Sequence, residues 1–231
     1  MSLPLLALGI TLMQTPGVAD PATYLADLTK ILRTDWPNNR SVNIVCHGHS
    51  VPAGYFQTPR VQTFDAYPHL LHHRLADRFP HGVINVMVTA IGGENSEQGA
   101  KRFEHDVLDK HPDVVTIDYA LNDRGLGLDR AKSAWSSMID AAVNANIKVI
   151  LLTPTPDQSA KLDDPKDPLN LHANQVRDLA KQWHVGLVDS LAEFKREIAT
   201  GKPLPSLMSQ SNHPNRAGHT LVADALEKWF P

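Results

Sequence analysis

Five short apolar runs rich in β-branched residues alternate along the chain with longer stretches of helical period, and this alternation limits the possible folds most sharply. The runs are Val42 to Cys46, Val83 to Thr89, Val114 to Tyr119, Lys148 to Thr153 and Gly186 to Asp189. Each is nearly continuous in apolar character. That is the pattern of strands buried on both faces, as in a parallel sheet covered by helices on either side. Helices are predicted at 65–79, 95–110, 129–145, 170–183 and 190–199, with two more flanking the core at 21–34 and 214–230. Right-handed βαβ crossovers follow from that order. Pro214 suits the first turn of the last helix, and Ala217, Leu221, Val222, Ala225, Leu226 and Trp229 supply its apolar stripe.

The chain has 231 residues, 42% hydrophobic and 20% charged, and no shift in composition divides it into halves. The expected organisation is an N-terminal apolar segment over 1–20 followed by one domain over 21–231. Net charge is −3 and the basic residues are scattered, so the footprint of a nucleic-acid binder is missing and a small molecule is the expected partner. A single cysteine, Cys46, excludes an internal disulfide and a Cys-based zinc cluster. The apolar run Leu3 to Met13, followed by Gly17-Val18-Ala19, resembles a signal-peptide core and cleavage site without the usual positive start, and favours a periplasmic or secreted location over the cytoplasm. Pro4 and Gly9 interrupt it, and it is too short to span a membrane. Thr153 to Pro168, rich in Pro and Asp, reads as a long surface connector.

Open parallel sheets bind ligands beyond the carboxyl ends of their strands, where Ser50, Gly92, Gly93 and Asn122 fall. Ser50 follows the first run on a Gly-bearing turn. His213, within Asn212-His213-Pro214-Asn215, lies at the entrance of the last helix, with Asn212 as the expected cap. Each alone has a plain structural use as strand exit, turn or helix start. Together they offer what acyl transfer requires: a hydroxyl, a base to take its proton, and donors for the oxyanion.

Four blocks in order carry a family resemblance. Gly48-His49-Ser50-Val51 resembles the Gly-Asp-Ser block of the SGNH hydrolases, the GDSL-type esterases and lipases; Ile91-Gly92-Gly93-Glu94-Asn95-Ser96 is similar to the second block, Ala120-Leu121-Asn122-Asp123 to the third, and Asn212-His213-Pro214-Asn215 to the fifth. The resemblance implies a flavodoxin-like, three-layer α/β/α sandwich with a five-stranded parallel sheet, and a serine ester hydrolase without a cofactor. It assigns Ser50 as nucleophile, His213 as general base, and Ser50, Gly93 and Asn122 as the oxyanion hole. A small acyl ester, an acetyl group on carbohydrate above a lipid, is the expected substrate.

Two positions depart from the family pattern. Gln210 stands where an acid three residues before the histidine usually orients the imidazole, so a Ser–His dyad assisted by a Gln210 carbonyl, side chain or backbone, is expected, with Asp189 and Asp123 as the other candidates. Position 49 holds His in place of Asp. His47 and His49 lie two apart on a strand-like segment, a spacing compatible with metal, but no complete metal motif is present and none is expected to bind. Tyr55, Phe56, Phe64 and Tyr67 are candidates for an acyl-binding wall, or for packing. A noncatalytic binding module, having lost its carboxylate at position 210, is the rival function. A nucleotide-binding domain is disfavoured because no glycine-rich phosphate loop opens a helix after a strand.

Overall fold

The computed structural model describes residues 17–231, so the apolar run Leu3 to Met13, on which the export expectation rests, lies outside the described residues. All five apolar runs are strands: β1 (Ser41–Gly48), β2 (Val83–Val88), β3 (Val114–Asp118), β4 (Lys148–Leu152) and β5 (Gly186–Val188). They pair in parallel in the order β2-β1-β3-β4-β5. The helices are α1 (Ala26–Leu32), α2 (Ser50–Ala53), α3 (Tyr67–Arg78), α4 (Ser96–Lys101), α5 (Phe103–Asp106), α6 (Ala120–Asp123), α7 (Leu128–Asn144), α8 (Pro168–Trp183), α9 (Ser190–Ala199) and α10 (Arg216–Glu227). A small antiparallel pair, β6 (Met208–Gln210) and β7 (His213–Pro214), precedes α10.

Successive side chains of a strand point to opposite faces, and here both faces are apolar. Val42, Ile44, Ile150 and Leu152 join Leu71 and Leu75 of α3 and Val222 and Leu226 of α10 in one cluster. Val45, Val115, Ile117, Val149 and Leu151 join Trp135 and Met138 of α7 and Val176 and Leu179 of α8 in the other. Each large aliphatic or aromatic side chain so buried contributes roughly 1.5–3 kcal/mol. The result is the three-layer α/β/α sandwich. From β1 the chain crosses to β2 on one side and then to β3 on the other, so the direction of winding reverses between β1 and β3. The carboxyl ends of those two strands therefore flank a crevice.

Three expectations change. The helix expected over 95–110 is broken into α4, α5 and a 3₁₀ turn at Leu108–Lys110. Arg102 interrupts it with φ −110° and ψ 5°, and its guanidinium donates to the carbonyl of Thr89 at 2.5 Å and to the Tyr119 hydroxyl at 3.0 Å. Pro214 lies in β7 and not in a helical turn, and Asn215, not Asn212, caps α10 by accepting the Gly218 N–H at 3.2 Å. The connector after β4 is not simply solvated, because residues 153–157 are buried and Asp157 pairs with Arg124 at 2.7 Å. Among the described residues no helix is long and apolar enough to cross a membrane.

Candidate active site

β1 runs out at Gly48, His49 caps the next turn, and Ser50 is the first residue of α2. Its hydroxyl lies at the mouth of the β1/β3 crevice and is 2.9 Å from Nε2 of His213, 163 positions away in the chain. β7 brings the histidine there, paired with β6 in a register that sets His213 opposite Gln210. The other ring nitrogen, Nδ1, is 3.3 Å from the carbonyl oxygen of Phe56. A carbonyl accepts only, so Nδ1 carries the proton and Nε2 turns a lone pair to Ser50. The Ser209 hydroxyl donates to the same Phe56 carbonyl at 2.8 Å. Burial holds the His213 pKa below the ordinary value of 6.5; the Phe56 carbonyl opposes that shift, and charge on the neighbouring His49 would add to it. His213 is thus a neutral acceptor near pH 7.

The bond expected from Gln210 is made by Phe56 instead. The Gln210 amide oxygen accepts the Thr58 N–H at 3.0 Å, its NH₂ donates to Asn212 at 3.1 Å, and its backbone carbonyl accepts from Gln158 at 3.2 Å. The hairpin from β6 to β7 turns the side chain outward toward the segment around Thr58 and away from the imidazole. Asp189 is held by Arg177 at 2.7 Å and caps α9, while Asp123 accepts the Ser96 N–H at 2.8 Å and the Trp135 indole N–H at 2.7 Å. Neither bonds His213.

The donors expected for an oxyanion lie on three adjacent segments. Ser50, at the start of α2, has a backbone N–H with no partner inside the helix. Gly93 adopts φ +84°, a left-handed conformation open to glycine and strained for other residues. Asn122, in α6, donates its amide to the Glu94 carbonyl at 2.8 Å and so ties the end of β3 to the Gly92–Glu94 loop. The Glu94 carboxylate in turn accepts from Arg102 at 2.8 Å. The same arginine reaches the Thr89 carbonyl, so one side chain braces this loop against the end of β2.

Of the four aromatics, Tyr67 is in the core and Phe64 is 80% exposed. Tyr55 alone faces the site with its ring, which is 5.9 Å from that of His213 and packs against Gly92, where a Cβ would lie 2.8 Å from the Tyr55 ring. Phe56 contributes through its backbone. His47 and His49 diverge: His47 bonds Thr89 at 2.9 Å and the Gly99 carbonyl at 3.2 Å, with burial pushing its pKa down to about 4. Sequence reasoning missed the Phe56 carbonyl, for which no signal exists because any residue carries one. It also missed Asp118, for which a signal did exist: a carboxylate closing an otherwise apolar strand at the ligand-binding edge.

Comparison with known proteins bears on this arrangement. The sequence model of the GDSL-like lipase/acylhydrolase family matches residues 46–221. An acetylxylan esterase of Geobacillus stearothermophilus is 24% identical over 159 residues, which cover 64% of this chain and 72% of that protein. The crystal structure of Axe2, an acetylxylan esterase from Geobacillus stearothermophilus, superposes with a TM-score of 0.72 at 21% identity, covering 82% of this chain and 94% of that one. A two-domain esterase active on acetylated mannans superposes with a TM-score of 0.69 at 19% identity, covering 88% of this chain and 51% of that one. The fold is common to all of these. With the family match spanning most of its length, the chain belongs to the GDSL-like lipase/acylhydrolase family of the SGNH hydrolase superfamily and is a carboxylic ester hydrolase.

Proposed function

We propose that this protein removes acetyl groups from acetylated carbohydrate through a covalent acyl-enzyme on Ser50. The observation that carries the reading is the 2.9 Å approach of His213 Nε2 to Ser50 Oγ, with the Phe56 carbonyl fixing the imidazole in the tautomer a base requires. Ser50 Oγ attacks the ester carbonyl and its proton passes to His213. The charge that develops on the carbonyl oxygen meets the N–H groups of Ser50 and Gly93 and the Asn122 amide. His213 returns the proton to the departing alcohol, then accepts one from the water that attacks the acyl-enzyme, and Ser50 regains it as the acid leaves. A backbone carbonyl orients the imidazole as a carboxylate does, but it balances the imidazolium charge less. Turnover by this dyad is correspondingly lower than with an acid behind the ring.

Support for acetyl and for carbohydrate comes from the acetylxylan esterase relative and from the esterase active on acetylated mannans. The site itself favours a small acyl group, since Ser50 is only 6% exposed and Tyr55 closes over Gly92 beside His213. A binding module without turnover is the competing reading, favoured by Gln210 at the usual acid position. Acetylated xylooligosaccharides and a series of aryl esters of rising acyl length, given to wild type and to Ser50→Ala, separate the two. Acetate release by wild type alone, rates falling with acyl length, and fluorophosphonate labelling mapped to Ser50 are expected. Sugar binding with neither acetate release nor labelling would sink the proposal.

A further inference from the structure

His49 touches the nucleophile yet has no part in the mechanism above. Its Nδ1 accepts the N–H of Val51 at 3.3 Å and lies 3.4 Å from Ser50 Oγ. Across the ring, Nε2 is 3.4 Å from Oδ1 of Asp118, the last residue of β3. Both side chains are almost wholly buried, and neither of these two facing atoms makes a hydrogen bond among the described residues, so what joins them is a close electrostatic approach. The Tyr67 hydroxyl donates to the second Asp118 oxygen at 3.3 Å, and burial, with Asp118 adding to it, keeps that phenol protonated.

Two neighbours therefore act on one imidazole. The Val51 N–H requires a lone pair at Nδ1, and the Asp118 carboxylate, 3.4 Å from Nε2, favours a proton there over a lone pair. Asp118 favours hydrogen on Nε2 and Val51 keeps it off Nδ1, so the atom facing Ser50 Oγ is an acceptor. The opposite tautomer, or an imidazolium, would aim an N–H at Oγ and engage the electron pair with which serine attacks the ester.

We propose that His49 is a positioning residue for Ser50, and that Asp118, by fixing the imidazole as its Nε2–H tautomer, keeps an acceptor and not a donor against the nucleophile. This rests on Ser50 as the nucleophile. The plainer alternative is that His49 only caps α2 and Asp118 only fills the end of β3.

Steady-state kinetics on an acetyl ester, fluorophosphonate labelling rates and melting temperatures of His49→Asn, Asp118→Asn and the double variant distinguish these. Asparagine places its amide oxygen near the position of Nδ1, so it keeps the cap and the acceptor but has no tautomer to lose. Asp118→Asn is expected to lower kcat about tenfold with KM little changed, less than the roughly hundredfold cost of a 1 Å misplacement. In the His49→Asn background the Asp118→Asn loss should largely vanish, whatever the activity of His49→Asn itself, because no imidazole remains to turn the wrong way. An equal loss in both backgrounds, or no loss in either, would overturn the inference. If Asp118→Asn does not fold, His49→Gln serves: it keeps a donor toward Asp118 but no acceptor toward Ser50. It should slow turnover and labelling, and wild-type behaviour would overturn the inference. Failure of wild type to label at Ser50 overturns this inference and the proposed function together, whereas normal wild-type labelling with an unaffected Asp118→Asn overturns this one alone.

Discussion

Two imidazoles flank Ser50, and they are backed by opposite kinds of group. His213 stands 2.9 Å from the hydroxyl with a neutral backbone carbonyl behind it, whereas His49 stands at 3.4 Å with a buried carboxylate behind it. A carboxylate is the better partner for a ring that must become cationic, yet here it sits behind the ring whose Nδ1 already accepts the Val51 N–H. In the proposed mechanism the base is therefore the histidine without a carboxylate behind it. What decides is which nitrogen offers the serine a free lone pair at hydrogen-bond distance, and only His213 does so without sharing it with a backbone N–H.

The sharpest way to break this comparison is to remove each ring in turn. His213→Gln should lower kcat on the order of a thousandfold, within the range for a general acid–base group, while His49→Asn should cost far less; the reverse order in a kcat measurement would exchange their roles. A smaller but broad effect concerns acid stability. Burial pushes the pKa of His219 down to about 3 and that of His47 down to about 4, from an ordinary 6.5. Between those values the unfolded chain takes up protons that the folded chain refuses. The stability these two rings contribute is thus present in full above pH 6.5 and is lost as pH drops through that window. Denaturant midpoints measured between pH 7 and 4 should decline accordingly, and a flat profile would contradict the burial of these rings.

The pH profile sharpens the comparison further. Because burial disfavours the His213 imidazolium, the acid limb of kcat/KM should inflect below 6.5. A carboxylate bonded to the ring would move the inflection upward, so a limb above 6.5 would reveal an acid that the Phe56 carbonyl does not replace. The smallest effect is expected at Gln210. Its amide bonds Thr58 and Asn212 and leaves His213 alone, so Gln210→Ala should cost about 1 kcal/mol of stability and leave kcat nearly unchanged. A large fall in kcat with an unchanged melting temperature would restore the supporting role first expected of that residue.

The strands were readable from the sequence to within a residue or two because a strand buried on both faces must be largely apolar, a demand local enough to leave a run such as Val149 to Leu152. Long amphipathic helices such as α7 and α8 were readable for the same reason. The helix over 95–110 was misread because its interruption comes from bonds that Arg102 makes to Thr89 and Tyr119, remote in sequence. The start of α10 was misread because Pro214 fits a first helical turn as well as it fits the β6/β7 pair that holds it.

By itself the sequence determined the sandwich, the edge of the sheet at which chemistry gathers, and the residue types at Ser50, Gly93, Asn122 and His213, since these follow from periodicity and from motifs a few residues long. Only the tertiary structure decided what stands behind each imidazole: the Phe56 carbonyl for His213, and Asp118 for His49. A backbone carbonyl leaves no trace in a sequence, and the partner of a buried ring is fixed by where two strand ends meet in space, which depends on every crossover between them.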